Sequence, residues 1–501
     1  YSPTFTNVTI ANNDAYYGGG YWRNSSASSQ FTNCIIYHNT ATSSPSLTGA
    51  GSVTYSDIEG GYSGTGNIDS DPMFTDLYGG DYTLSDYSPA IGAGTATGAP
   101  TVDIAGNIRP NPADSSPDMG AYENARSERL SGVKYYVATT GSDSSSLGTS
   151  STPFLTIQRA VEAAWDGDTV LVLAGTYTGN IDYNGKSIVV GSQILTTGDT
   201  SYVSSTIVNG SIDIESNVDS TAVLTGLTIQ NSSSRGVNCA GDPTISHLRV
   251  KGHTDGGMTF SSADVSLSHV EVIGNSYSSH GAGIYVASST LNLLDVTVKR
   301  NRSTGGNGGG FHIEVSTVTI DSSTISNNYA TSNGGGLYIY NADVTISNTS
   351  IINDTTDNAS GGGIYNSNAT LRLHNVQVDS NEAEYYGGGL YMEADTLIAT
   401  NTTFNHNSLA YSSSRGGGVY ITSGGFNTFD QCRIQYNTAL NHGGGVYISG
   451  SSPVFTNVLI TDNVLVNTST TSYGGGIYDN SSGEPEFTNV TITRSLPFIS
   501  G

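Results

Sequence analysis

The sequence predicts an all-β solenoid, a parallel β-helix, on three observations. First, a block of glycines, an apolar residue and an aromatic residue recurs at Gly281 (GAGIY), Gly308 (GGGFH), Gly334, Gly361, Gly387, Gly416, Gly443 and Gly474, at spacings of 26 to 31 residues. Second, a polar-capped block follows it, as TNVTIANN at Thr6, LDVTVKRN at Leu294, HNVQVDSN at His374 and TNVLITDN at Thr456. Third, apolar and polar residues alternate inside the blocks, as in VTI, VEV and VQV. A period of two over short runs bounded by Gly, Asn and Ser marks strands, not helices. A unit this small, with two or three short strands, cannot bury its own apolar face, but stacked copies bury it for one another.

Along one coil, the glycines let the chain bend where a Cβ would collide. The strand after them sends its apolar residue into the bore and its aromatic residue out, since successive strand side chains point to opposite faces. The second block ends on a column of amides: Asn13, Asn39, Asn275, Asn301, Asn328, Asn381, Asn407, Asn437 and Asn463, with Asp354 the one substitution in the central run. Asn suits a corner because it accepts a left-handed backbone and its amide can reach the next coil. The longer spacings place insertions in the turn before the glycines.

From Lys134 the chain reads KYYVATTGSDSSSLGTSSTPFLTIQRAVEAAWDGDTVLVLAGTYTGN. Thr152-Pro153 is expected to start a short helix with Ile157, Ala160, Val161 and Ala164 on its apolar face, ended by Asp166-Gly167. Such a helix plugs the open end of a bore, which is otherwise an exposed apolar edge. This run resembles the opening of right-handed parallel β-helix proteins of the pectate-lyase-like superfamily, and the resemblance implies a right-handed coil. An earlier segment, DSDPMFTDLYGGDYTLSDYSPAIGAG from Asp69 and DMGAYE from Asp118, resembles the tail that follows the last coils of bacterial secreted β-helix proteins. The expected organisation is therefore final coils and tail motif over 1–123, a linker over 124–133, a capping strand, helix and first coil over 134–204, and further coils over 205–501. Tail before head is the order of a circular permutation or of a window cut across a tandem array.

Composition bounds the partners. With 17 basic against 42 acidic residues and a formal net charge of -25, the chain lacks the Lys/Arg stripes that nucleic acid requires, and an anionic membrane surface repels it. No apolar run is long enough to span a bilayer. Cys34, Cys239 and Cys432 show no Cys-x-x-Cys spacing, so they read as buried small hydrophobes.

The superfamily resembled includes polysaccharide lyases and glycosidases, so catalysis is tested residue by residue. A lyase needs a base to take a proton α to a carboxylate, with Ca2+ on clustered Asp to acidify it. The best constellation is Lys299 and Arg300 with Asp295 and His312, and no Asp cluster recurs beside it; a solvated charge patch is the plainer reading. A glycosidase needs two carboxylates about 5–9.5 Å apart, which Glu314 and Asp343 approach without a supporting neighbour. No catalytic residue is assigned. For metal, Asp69, Asp71 and Asp76 offer hard oxygens in a Gly-rich segment that suits Ca2+; turn capping is the alternative. Trp22, Tyr285, Tyr338, Tyr365, Tyr391, Tyr420, Tyr447 and Tyr478, with His312 in the same column, form an outward aromatic row. Such a row is a self-stacking ladder, a lateral protein contact, or a platform for glycans.

The expected function is an extracellular, secreted or cell-surface structural or adhesive protein whose copies assemble head to tail into a filament. The alternative is a polysaccharide-degrading lyase or glycosidase. The head-to-tail expectation rests on coil-like sequence at both ends of the chain, with Ser495–Gly501 at the junction.

Overall fold

The computed structural model describes residues 2–495 except 25–27, 44–45, 131, 145, 395 and 467–471. The chain divides into two compact units, Tyr1–Val172 and Leu173–Gly501. The division falls after the capping strand, helix and first strand, so these cluster with the tail motif and not with the long repeat.

In the second unit each coil turns at residues with positive φ. Leu337–Tyr340 lies on what we call the tyrosine face, Asn341 turns the chain, and Asp343–Ser347 runs on the long face. Asn348 bends the long face, Ser350–Ile352 continues it, Asn353 turns again, and Thr355–Thr356 forms the narrow face before the next glycines. The coil thus holds four short strands, where the alternation suggested two or three, because one left-handed residue splits the long face. In Asp264–Ile273 and Thr290–Lys299 the same bend, at His269 and Asp295, leaves one ten-residue strand. Among the described residues the strands stack parallel, 12 on the tyrosine face and 8 on the narrow face. Val318, Val344, Leu371 and Leu397 stand in register and are completely buried, as are Ile339 and Ile351. Alternate side chains therefore fill the bore, as a parallel stack closed on itself requires.

The amide column divides two tasks that the sequence reading gave to one residue. Asn327 takes the left-handed turn, while its neighbour Asn328 is buried and bonds along the stack. The Asn301 backbone N–H and Nδ2 both donate to Asn328 Oδ1, at 3.0 and 3.1 Å, and Nδ2 also donates to the Val272 carbonyl at 3.0 Å. The column runs from Asn275 through Asn301, Asn328, Asp354, Asn381, Asn407 and Asn437 to Asn463.

The first unit opens with a short stack. Thr4–Thr6, Ser29–Thr32 and Ala50–Thr54 pair in parallel, as do Thr9–Ala11, Ile35–Tyr37 and Asp57–Ile58. Phe31, Cys34, Ile36, Val53 and Ile58 form its inner core. The tail motif closes it with an antiparallel pair, Phe74–Asp76 and Asp81–Leu84, and a second core of Ile35, Phe74, Leu84, Ala90, Ile91 and Met119. The acidic letters of DMGAYE have structural work. Glu123 forms a fully buried ion pair with Arg109 at 2.7 Å, and Asp118 accepts from the Gly92 and Asn124 amides. Burial pushes the Asp118 carboxyl up to about 7.

Segment 124–133 is not a free linker. Arg126 pairs with Asp86 and Arg129 with the buried Asp168, which also accepts from the Val133 amide. The helix spans Ile157–Ala163, shorter than read from Thr152-Pro153. The Thr156 side chain caps it by accepting from the Arg159 amide, while Asp143 holds the Leu155 and Thr156 amides outside the helix. Ile157, Ala160 and Val161 are buried, and Ala164 is the C-cap. All three cysteines are free and buried. Among the described residues no helix is long and apolar enough to cross a membrane.

Candidate functional site

The tyrosine face brings the predicted aromatic row into register. Tyr285 pairs with His312, then Tyr338, Tyr365, Tyr391, Tyr420, Tyr447 and Tyr478 follow coil by coil. Successive ring centroids lie 5.2, 4.8, 5.2, 4.6, 5.2, 4.8 and 5.2 Å apart. The rings point out of the bore and are largely covered. Tyr447 is 2% and Tyr420 8% exposed, His312 is buried, and the others are half-buried. Loop residues ahead of the glycines cover them: Tyr386 stacks toward Tyr391 and Tyr420, His442 toward Tyr447 and Tyr478, and Arg415 lies over Tyr447. Each ring of the row contacts a ring of a neighbouring coil, and Arg235 lies over Tyr285 at its start, which is the geometry of a ladder. Trp22, in the first unit, stands beside Thr48 and is 48% exposed.

One position departs from the ladder and gathers titratable groups. The Tyr285 hydroxyl donates to Glu314, and His312 Nε2 lies 3.4 Å from Glu314 Oε2. The His280 ring lies tilted 4.9 Å from His312, and Arg235 lies over the Tyr285 ring. His312 Nδ1 is buried without a hydrogen-bond partner. Burial, helped by His280, pushes the His312 imidazole down to about 4. Burial and the Glu314 hydrogen bond push the Tyr285 phenol up to about 12. The cluster therefore holds one carboxylate between a neutral phenol and a neutral imidazole. Glu393 repeats half of it, accepting from the Tyr365 hydroxyl at 3.1 Å.

The other sequence candidates are dispersed. Lys299 sits on the long face against Glu271, which is also bonded by Arg249; Asp295 faces His269; His312 belongs to the tyrosine face. Asp343 forms an ion pair with Arg372 of the next coil, so Glu314 and Asp343 do not face each other as a pair. His280 joins the Glu314 cluster, and neither it nor Glu393 was singled out from the sequence. Alternation along a strand could have placed Glu314 and Glu393 two residues from the aromatic row on the same face.

In the first unit Asp69 accepts from the Gly60 amide and the Tyr37 hydroxyl, and Asp76 caps the Gly79 amide. Asp71 forms an ion pair with Arg159, lies 3.4 Å from His38 and accepts from the Met73 amide. Burial acts against the Asp71 charge, yet His38 and Arg159 hold its carboxyl below the usual range. Asp71 and Asp76 line a cavity of about 530 Å³ with His38, Asp143 and Arg159. Among the described residues, no three His, Cys, Asp or Glu side chains gather as metal ligands would; the bonds these three Asp make are those of turn caps at Asp69 and Asp76 and of an ion-pair partner at Asp71.

Residues 315–492 match the family model described as right handed beta helix region. Together with the strand topology, this defines the fold as a right-handed parallel β-helix. Similar solved structures include pectate lyase Pel9A, at 16% identity over 71% of this chain and 80% of that one with a TM-score of 0.31. The catalytic domain of a GH87 alpha-1,3-glucanase follows at 9% identity, covering 74% and 76%, with a TM-score of 0.37. A mannuronic acid specific polysaccharide family 6 lyase from human gut microbiota matches at 11% identity over 66% and 78%, with a TM-score of 0.29. At such values the likenesses bear on neither activity nor substrate. No curated protein matches the chain.

Proposed function

We propose that this protein is an extracellular structural β-helix, a stacked scaffold whose copies join end to end, and not a polysaccharide-degrading enzyme. The observation that carries this reading is the amide column of the second unit. From Asn275 to Asn463 every coil donates from its backbone and, Asp354 apart, its side-chain amide to the next ladder residue. Buried side-chain bonds that run with the backbone ladders tie each coil to both neighbours, and polar networks of this kind rigidify where their members are satisfied, as the column is except at Asp354 Oδ2. The aromatic row adds a second ladder parallel to it. Such a stack resists local opening, which suits a load-bearing or surface-exposed role.

One observation favours the alternative enzyme reading: the Tyr285–Glu314–His312 cluster, whose groups are of the types used in general acid–base catalysis. Incubation with pectin and alginate, with and without Ca2+, decides between the two. The scaffold reading expects no unsaturated product and no new reducing ends. Product release by the folded protein that disappears in Glu314→Gln would overturn it.

A further inference from the structure

The cavity of about 530 Å³ that Asp71 shares with Arg159 is built from three distant stretches of the first unit. His38 comes from a coil corner, where it holds a left-handed φ of 57°. Asp71, Asp76, Leu77 and Tyr78 come from the tail motif, around the strand Phe74–Asp76. Asp143 and Arg159 come from the loop and the helix that follow the strand Lys134–Val137. The volume falls within the range of small-molecule sites, about 300–1,000 Å³. Part of the wall is apolar: Leu77 and Leu147 are half-buried, and the Tyr78 ring is 58% exposed.

The polar part of the wall has a feature that a purely structural ion pair does not need. Asp71 is buried and both its oxygens are engaged, by the Met73 amide with His38 at 3.4 Å, and by Arg159. Arg159 is not engaged to the same extent. Of the five N–H donors on a guanidinium, one goes from Nη2 to Asp71, and no other bonds a protein group among the described residues. The guanidinium carbon lies 4.9 Å from the centre of the Phe154 ring. With one face on Phe154 and one edge on Asp71, its free edge is left to the cavity that the residue lines. The side chain is only 17% exposed, and donors held so far from bulk water call for acceptors.

Charge decides what kind of acceptor fits. Three carboxylates, Asp71, Asp76 and Asp143, line the cavity against one arginine, so an anion meets net repulsion. A metal ion meets engaged oxygens, since Asp143 accepts from the Leu155 and Thr156 amides and from the Thr156 hydroxyl. Asp76 differs: its Oδ1 takes the Gly79 amide, while its Oδ2 takes no donor among the described residues. The cavity therefore offers a planar fork of donors, one free carboxylate oxygen and an apolar wall with an open phenol ring. That set suits a molecule whose hydroxyls both accept and donate and whose C–H face is apolar.

We propose that this cavity binds a neutral sugar of one or two rings, whose adjacent hydroxyls accept from Arg159 and donate to Asp76 while its ring lies against Tyr78. The site shares no residue with the tyrosine face or with the Tyr285–Glu314–His312 cluster. It goes beyond the scaffold reading and is independent of the end-to-end expectation, whose segment 496–501 lies outside the described residues.

Ligand-observed saturation-transfer NMR on the full chain tests the class, with glucose, galactose, maltose and cellobiose as neutral probes and glucuronate as the anionic one. At about 10 mM, which suits millimolar affinity, at least one neutral probe should show transfer and glucuronate none. Tyr78→Ser removes an exposed ring and should weaken the neutral probe about tenfold with an unchanged melting temperature. Arg159→Lys keeps the charge beside Asp71 but replaces the planar fork with a point charge, and should weaken binding about tenfold as well. Melts are read alongside, and Tyr78→Ser carries the test should Arg159→Lys fail to fold. Transfer to none of the neutral probes, tighter binding of glucuronate than of any neutral probe, or undiminished binding in either folded variant overturns the proposal.

Discussion

In the second unit Asn437 and Asn463 are wholly buried and their amides bond along a column, whereas Asn13, at the equivalent place in the first unit, is exposed and donates to Asn39 and to the Ala11 carbonyl of its own coil. Tyr447 is 2% exposed between two rings, and Trp22 is 48% exposed beside a threonine. The residue types match, so the difference lies in the neighbours: a coil of this pattern makes its interactions only where another coil lies against it. The first unit compensates through its tail, with the buried Arg109–Glu123 pair and the core around Phe74 and Met119. The long unit is held by repetition and the short one by closure.

The largest break in this comparison should come at the glycine corners. A Cβ on Gly362 would collide with the Glu382 carbonyl and stand 2.6 Å from that of Gly388. Both atoms are backbone in neighbouring coils and neither can move alone. Gly362→Ala should destabilise the second unit by about 3 kcal/mol or more, read as a lower urea midpoint. In the first unit Gly60 has nothing within 4 Å of its added Cβ, although its φ is +84°. Gly60→Ala should therefore cost only the left-handed backbone term, about 1 kcal/mol.

A smaller effect is expected at the amide column. Asn381 Oδ1 accepts from the Asp354 amide at 2.9 Å, and its Nδ2 donates to the Ile351 carbonyl at 2.9 Å and to Asn407 Oδ1 at 3.1 Å. Asn381→Ala strands buried groups in two neighbouring coils and should cost about 2 kcal/mol. The exposed Asn13→Ala should cost about 0.5 kcal/mol. Equal losses at the two sites in thermal melts would show that the column contributes nothing beyond its local bonds.

Repetition made the long unit legible. The glycine and asparagine columns placed the coils, and alternation placed Tyr338, Tyr365 and Tyr391 on one outward face in register. What the sequence did not reveal was what covers that face. Tyr386, Arg415 and His442 come from the turns before the glycines, where spacing varies, so no period announces them. The Glu314 cluster was hidden for a related reason: Glu314 and Glu393 recur three coils apart, with Tyr340 and Ser367 between them. In the tail motif the spacing of Asp69, Asp71 and Asp76 said nothing about Arg159, which lies far along the chain and neutralises Asp71. The division of labour between Asn327 and Asn328 needed φ values, since both letters are the same.

Asp354 gives the last test, because it is the one acid in a column of amides. Its Oδ1 accepts from the Asn328 backbone and side-chain amides at 2.7 and 2.9 Å, and its Oδ2 is buried without a partner. At that place Asn328 and Asn381 carry Nδ2, which donates to the Val298 and Ile351 carbonyls. Ile325 stands in register between those two residues, so Asp354 Oδ2 faces a carbonyl where its neighbours present a donor. A carboxylate there would set acceptor against acceptor, and a protonated carboxyl would not. Burial accordingly raises the Asp354 carboxyl well above its ordinary value. For an acid raised in the folded state, the stability contribution is complete below the unfolded value, about 3.9, and is lost as pH rises toward the folded one. Asp354→Asn supplies both donors at every pH. It should stabilise the second unit by about 1 kcal/mol below pH 4, the gain widening by up to about 1.4 kcal/mol per pH unit above that until the folded carboxyl ionises. Thermal melts of the two proteins across acid and neutral pH measure the gap. A gap that stays constant with pH would mean that Asp354 is ionised in the column and finds a donor there.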